Sequence, residues 1–257
     1  QVALKVLDRR GHDVDEDALE RFRSEYEIGC SIEGPHVAEV YEFGVRDDLA
    51  FIALEYFAGG DLKKRMEQPM LPRHCVRLLR QIAEALEVIH EAGIIHGDLK
   101  PGNIMIMPNG DAKLFDFGVA RVRQQQLDSD PNFDPGVLGL LTPAYSSMQV
   151  LTGEKPTPAD DVFSLACLLY RLIAGYRVFG PRNAAEAAEE GMKPQRLDKL
   201  SDANWRVLKK ALSYSRVTRF SSMADFIDAL GFDVVGIFAL VILKIPGPDA
   251  SPGIVGT

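Results

Sequence analysis

Two neighbouring stretches, residues 95–107 (IHGDLKPGNIMIM) and 113–120 (KLFDFGVA), restrict this chain more than anything else in it. They set charged and amide side chains at fixed offsets among apolar residues: Asn103 follows Asp98 by five positions, and Asp116 follows it by eighteen. Phosphoryl transfer from a nucleotide needs a carboxylate that positions the acceptor, a cation near the moving group, and oxygen ligands for a Mg2+ ion bridging the phosphates. Asp98, Lys100, Asn103 and Asp116 are residues of those types. A lone HxDxxxxN motif would be weak, but an acidic DFG triplet thirteen residues beyond Asn103 makes the combination specific.

Composition narrows the remaining choices. With 29 Lys and Arg against 37 Asp and Glu, the net charge of −8 argues against a general nucleic-acid coat, so no nucleic-acid partner is expected. A hydrophobic fraction of 46% beside 26% charged residues excludes a disordered tail or a rod. Cys30, Cys75 and Cys167 are far apart and in no CxxC spacing, so neither a disulfide framework nor a zinc site is expected. Reduced cytoplasm is the expected compartment, since no secretory leader is legible. Gln1, opening directly on an apolar run, suggests a chain that begins inside a longer protein. Residues 234–243 form a run of ten apolar or small residues where a spanning helix needs ~20. They read as a terminal packing segment or a clipped membrane anchor, the one place where membrane association could arise.

Along the chain, residues 2–7, 40–44 and 49–56 read as strands, with a charged helix over 15–28 between the first two. Residues 58–61 (AGGD) mark a lobe boundary, beyond which the pattern turns helical. Val76, Leu79, Ile82, Ala83, Leu86 and Ile89 recur at helical spacing up to Gly93, and residues 162–173 are apolar almost all round, as in a central buried helix. Residues 124–139 read as a long loop, and two further helices fall around 204–212 and 222–230.

The motifs resemble those of protein kinases, whose catalytic loop HRDxxxxN and DFG triplet residues 96–103 and 116–118 match in type and offset. The resemblance extends from residue 1 to about 230 and is most similar to the bacterial Ser/Thr type. It implies an α+β, two-lobed kinase fold: a small, incomplete antiparallel β lobe over residues 1–57, a larger mainly α lobe over 58–230, and a tail over 231–257. It implies ATP with Mg2+, and a protein substrate that accepts the γ-phosphoryl group on Ser or Thr. By the same resemblance Val2-Ala3-Leu4-Lys5 matches the strand whose Lys grips the phosphates, and Glu25 is its helix partner, with Glu27 the competitor. Pro35, ten residues beyond Glu25, matches the turn after that helix. Backbone groups of Glu55 and Phe57 would meet the adenine, Ala3 and Met105 would sandwich it, and Asp61 would face the ribose or simply cap a helix. Asp98 would position the acceptor, Lys100 would lie beside it, and Asn103 and Asp116 would hold the metal. Thr142, in TPAY, would bond Asp98 and Lys100 in a substrate-docking segment. Asp161 matches the buried Asp that holds the catalytic-loop backbone, and Arg219 matches the partner of the APE glutamate.

The departures shape the expectations further. A Gly-rich phosphate loop is absent and would lie upstream, so the 257 residues alone are expected to be impaired in nucleotide binding. Gly97 replaces the Arg of HRD, and between Val119 and Leu141 the only hydroxyl is Ser129, so control by loop phosphorylation is not expected. Gln149 replaces the APE glutamate, leaving at best a hydrogen bond to Arg219. Gly29, four residues after Glu25, should weaken the helix and leave a packing position unfilled, so that Gly29→Leu would raise activity. Two other readings stand beside the first. A pseudokinase or scaffold fits the missing loop and Gln149, although it would not need Lys5, Asp98, Asn103 and Asp116 together. An aminoglycoside- or choline-type phosphotransferase fits His96-Gly97-Asp98 but lacks Lys100 and a TPAY segment. Oligomeric state is not legible.

Overall fold

VALKVLD, apolar around a single Lys, forms strand β1 (Val2–Asp8), whose side chains alternate so that Ala3, Lys5 and Leu7 face inward while Val2, Leu4 and Val6 are exposed. The computed structural model describes residues 1–10, 16–68, 70–122 and 141–231. β1 pairs antiparallel with β3 (Leu49–Glu55), which also pairs antiparallel with β2 (Val40–Arg46), giving the order β1-β3-β2. Being central, β3 contributes the buried Ala50, Ile52 and Leu54, and these pack with Phe22 of helix α1 (Glu16–Cys30) into a small core.

The second, larger core belongs to helices. After the short α2 (Leu62–Arg65), α3 (Pro72–Glu91) opens with Pro at its first position, where a missing N–H does no harm. Its apolar stripe, Leu79, Ile82, Leu86 and Ile89, joins Val162, Phe163, Leu165 and Leu169 of a central helix in one cluster. Two brief pairings lie between them, β4 (Ile94–Ile95) with β7 (Arg121–Val122), and β5 (Ile104–Ile106) with β6 (Ala112–Leu114). The turn Pro101–Asn103 sits just before β5. α4 (Met148–Leu151) is a single turn, capped by Ser147.

The central helix, α5 (Pro158–Ala174), begins with a capping box between Thr157 and Asp160 and ends at Gly175, whose φ of +86 is the left-handed region that glycine enters freely. α6 (Ala184–Glu189), α7 (Asp202–Ala211) and α8 (Met223–Leu230) complete the larger lobe. Short α4 and α6 carry too few residues for a periodic signal, and sequence reading does not find them. The expected loop 124–139 with Ser129, the apolar run 234–243, and all but the first residue of the expected tail 231–257 lie outside the described residues. Among the described residues no helix is long and apolar enough to cross a membrane.

Candidate active site

Asp161 is the structural root of the site. It lies at the start of α5 with no exposed surface, and its carboxylate accepts hydrogen bonds from the His96 N–H (3.0 Å), the Gly97 N–H (2.9 Å) and the His90 ring (Nε2, 2.8 Å). Burial pushes this carboxyl up, but the His90 contact, followed by the remaining donors, holds it below the ordinary Asp range. Residues 96 and 97 are thereby tied to a buried helix. Gly97 has φ of +78, so a side chain there would sit in a strained backbone region, and glycine suits the loop for that reason as well.

Next along the loop, the Asp98 N–H donates to His96 Nδ1 (3.3 Å), which leaves His96 Nε2 to carry the proton and donate to the Phe115 carbonyl oxygen (3.4 Å). The His96 ring packs on Phe117 at 5.6 Å between centroids. The Asp98 carboxylate receives the Lys100 ammonium, the Asn103 amide at 3.3 Å and the Thr142 N–H at 3.0 Å. Asn103 also donates to the Asp98 carbonyl oxygen at 3.0 Å, so only its amide oxygen is left to offer an ion. Thr142 reaches Asp98 through its backbone; among the described residues no bond joins its side chain to Asp98 or Lys100, which differs from the expectation. A backbone donor serves because a turn at residues 142–145, closed by the Tyr145 N–H on the Thr142 carbonyl oxygen, points that N–H at the carboxylate.

Facing this loop from the small sheet, Lys5 Nζ lies 2.7 Å from Glu25 and 2.8 Å from Asp116. Glu27 pairs with Arg23 instead. Burial is the largest influence on each member. It pushes Glu25 up, with Lys5 only partly opposing it. For Lys5 and Asp116 the mutual attraction outweighs burial, keeping the ammonium above and the Asp116 carboxyl below their ordinary ranges. Asp116 has φ of +69, an uncommon conformation for a residue other than glycine and one that clusters at functional sites.

Between these halves lies a cavity of ≈ 390 Å³ whose lining includes Ala3, Lys5, Leu54, Phe57, Met105 and Asp116. Most of its wall is apolar, with charge only at the Lys5 end, which suits a flat ring with a charged tail. Glu55 does not line it: its carboxylate pairs with Lys113 at 2.7 Å, leaving backbone as what it can present. Asp61 caps α2, accepting from the Lys64 N–H at 2.7 Å. For a metal, Asp116 and the Asn103 oxygen are hard donors. Two protein ligands suit a small divalent ion that keeps several waters and binds phosphate oxygens.

One expectation is overturned. A Cβ on Gly29 would lie 2.7 Å from Val40 Cγ2 and 3.7 Å from Phe117 Cδ2. Val40 of β2 already occupies the space that looked empty, so glycine is what lets α1 approach the sheet, and Leu there would push the helix away. Sequence reading also missed Asp160. It receives Arg219 (3.2 Å) and Arg216 (2.9 Å), while Gln149 accepts from Arg219 at 3.0 Å, so a neighbouring carboxylate supplies the charge that the glutamine lacks. Two adjacent acids at the start of an apolar helix were the available signal. His90 and Lys113 had none, since their partners are distant in sequence.

Comparison with known proteins gives the family. A family model described as protein kinase domain matches residues 1–230. Serine/threonine-protein kinase PknA of Mycobacterium tuberculosis is 30% identical over 240 residues, covering 90% of this chain and 54% of PknA. Serine/threonine-protein kinase pkn2 of Myxococcus xanthus is 36% identical over 192 residues, 71% of this chain and 22% of that protein. Serine/threonine-protein kinase PrkC of Bacillus subtilis is 30% identical over 190 residues, 73% and 28% of the two chains. The chain thus spans about half the length of PknA and less of the others. The matched span takes in the cavity, the Asp98 loop, the Lys5 cluster and α5, and this chain belongs to the protein kinase domain family.

Proposed function

We propose that this chain is the catalytic module of an ATP-dependent serine/threonine protein kinase, with the small lobe ending near residue 57 and the helical lobe running from 58 to 230. The observation that carries the reading is the convergence on Asp98 of Lys100, Asn103 and the Thr142 N–H, opposite the Lys5, Glu25 and Asp116 cluster. Asp98 orients the acceptor hydroxyl and takes up its proton, and Lys100 offsets charge beside it. Lys5 has three donors; exchanging its Asp116 contact for phosphate oxygens would leave Glu25 holding it in place. Asn103 and Asp116 would hold Mg2+, which when bound neutralises charge on the phosphates. Ala3 and Met105 would enclose the purine, backbone of Glu55 and Phe57 would meet its edge, and the Asp61 oxygen not used in capping would face the ribose.

The turn at 142–145 favours a protein acceptor over a small one, since it builds a fixed ledge beside Asp98. Transfer of label from γ-labelled ATP to a protein or peptide, followed by phosphoamino-acid analysis, tests the reading with the full-length protein. Phosphoserine or phosphothreonine that depends on Mg2+ is expected. Absence of transfer, or label found only on a small alcohol, would contradict it.

A further inference from the structure

The ledge beside Asp98 is fastened to α5 through both the backbone and the side chain of one residue. Tyr145 is buried; its carbonyl oxygen accepts from Ser164 Oγ at 2.9 Å, and its hydroxyl accepts from the Arg171 guanidinium. Ser164 and Arg171 are two helical turns apart, so one face of α5 holds both. The turn closed by the Tyr145 N–H keeps the Cα atoms of Thr142 and Tyr145 within about 7 Å, and Thr142 itself touches Asp98.

Arg171 is out of place on such a helix. It is half-buried among apolar residues, and among the described residues its partner is a neutral phenol with no carboxylate beside it. Arg177, just past the end of α5 and exposed, likewise has no ion pair among the described residues. Burial pushes the Tyr145 hydroxyl up, while Arg171, and more weakly the field of Arg177, pull it down. The contrast with Arg216 and Arg219 is plain, because each of those has Asp160 as counter-charge. A partly desolvated guanidinium without an anion is unfavourable, and its planar fork matches a carboxylate.

We propose that Arg171, with Arg177 six residues further along the chain, forms a cationic subsite at the docking turn that selects protein substrates bearing an Asp or Glu within a few residues of the acceptor hydroxyl. The proposal rests on the Ser/Thr transfer reading above and adds the substrate class. An extended peptide advances about 3.3 Å per residue, so a carboxylate roughly two to four residues from the acceptor spans the distance set by the turn.

The test uses the full-length protein and three peptides identical except that the positions flanking one serine carry Glu, Gln or Lys. The expected kcat/KM for the Glu peptide exceeds that for the Gln peptide about tenfold, expressed in KM with kcat unchanged. Arg171→Glu keeps a hydrogen-bonding partner for the Tyr145 hydroxyl while reversing the charge, and should invert the order so that the Lys peptide is preferred. Arg177→Glu, at an exposed position, should shrink the Glu preference to about threefold and serves if the first variant does not fold. Equal kcat/KM for Glu and Gln peptides in the unaltered protein overturns the proposal. So does an acidic preference that survives both variants while kcat falls, which would make Arg171 only a support for Tyr145. Transfer without preference defeats this inference alone; no transfer to any peptide defeats the kinase reading and this one with it.

Discussion

The two halves of the candidate site are held by different physics. On the helical side, Asp98 stands on a loop whose backbone is bonded to Asp161, a carboxylate with no exposed surface at the start of a helix buried along nearly its whole length. On the sheet side, Lys5 stands on β1, its side chain 38% exposed, and depends on two carboxylates for its position. Among the described residues the core beneath it is four buried residues. Buried hydrogen bonds to a fully enclosed carboxylate are expensive to break, whereas a partly exposed ion pair on a small core opens readily. The Asp98 side of the candidate site is therefore a fixed platform and the Lys5 side is the part able to move.

Removing chemistry from each half without disturbing its scaffold gives the largest expected effect. Asp98→Asn and Asp116→Asn in the full-length protein should each lower the phosphotransfer rate by about three orders of magnitude, with the melting temperature unchanged. Turnover near the unaltered level in either would break the assignment. Asp161→Ala removes the platform itself, leaving two buried N–H groups and the His90 ring without their acceptor. It should destabilise the protein by about 3 kcal/mol or more, roughly 10 °C in Tm, by thermal unfolding. An unchanged Tm would mean that the loop is held by something else.

Acid should separate the halves. Glu25 has its pKa raised, so it takes up a proton above the usual carboxylate range as pH falls, and the Lys5 pair loosens. Asp161 has its pKa lowered, so its contribution is fully present above about pH 4 and is lost only as pH falls through the lower folded value. Phosphotransfer should therefore decline on mild acidification before circular dichroism reports unfolding. Coincident curves would contradict the ordering. A smaller effect is expected from Gly29→Leu. Forcing a side chain against Val40 should displace α1 at a cost of about 1–3 kcal/mol and lower, not raise, activity.

What the sequence made readable follows the same division. VALKVLD, the periodic run in α3 and the all-apolar α5 announced themselves because local pattern and tertiary role coincide there. Asp98, Asn103 and Asp116 were readable because they lie close along the chain. Gly29 was misread because its meaning depends on Val40, a neighbour only in space, and a missing side chain looks the same in sequence whether the space is empty or filled. Asp160, Lys113 and Arg171 escaped for a related reason. Each acquires its role from a partner at least 25 residues away, among them Arg219, Glu55 and Tyr145.

Native-state hydrogen exchange, read by mass spectrometry on the full-length protein without nucleotide, tests the central contrast most directly. Amides of α5 and of the β4 strand that leads into the Asp98 loop should be among the slowest, exchanging only with global unfolding. Those of α1 should exchange at least about tenfold faster through local opening. Equal protection of α1 and α5 would contradict the account, because the Lys5 side would then be as firmly held as the platform it faces.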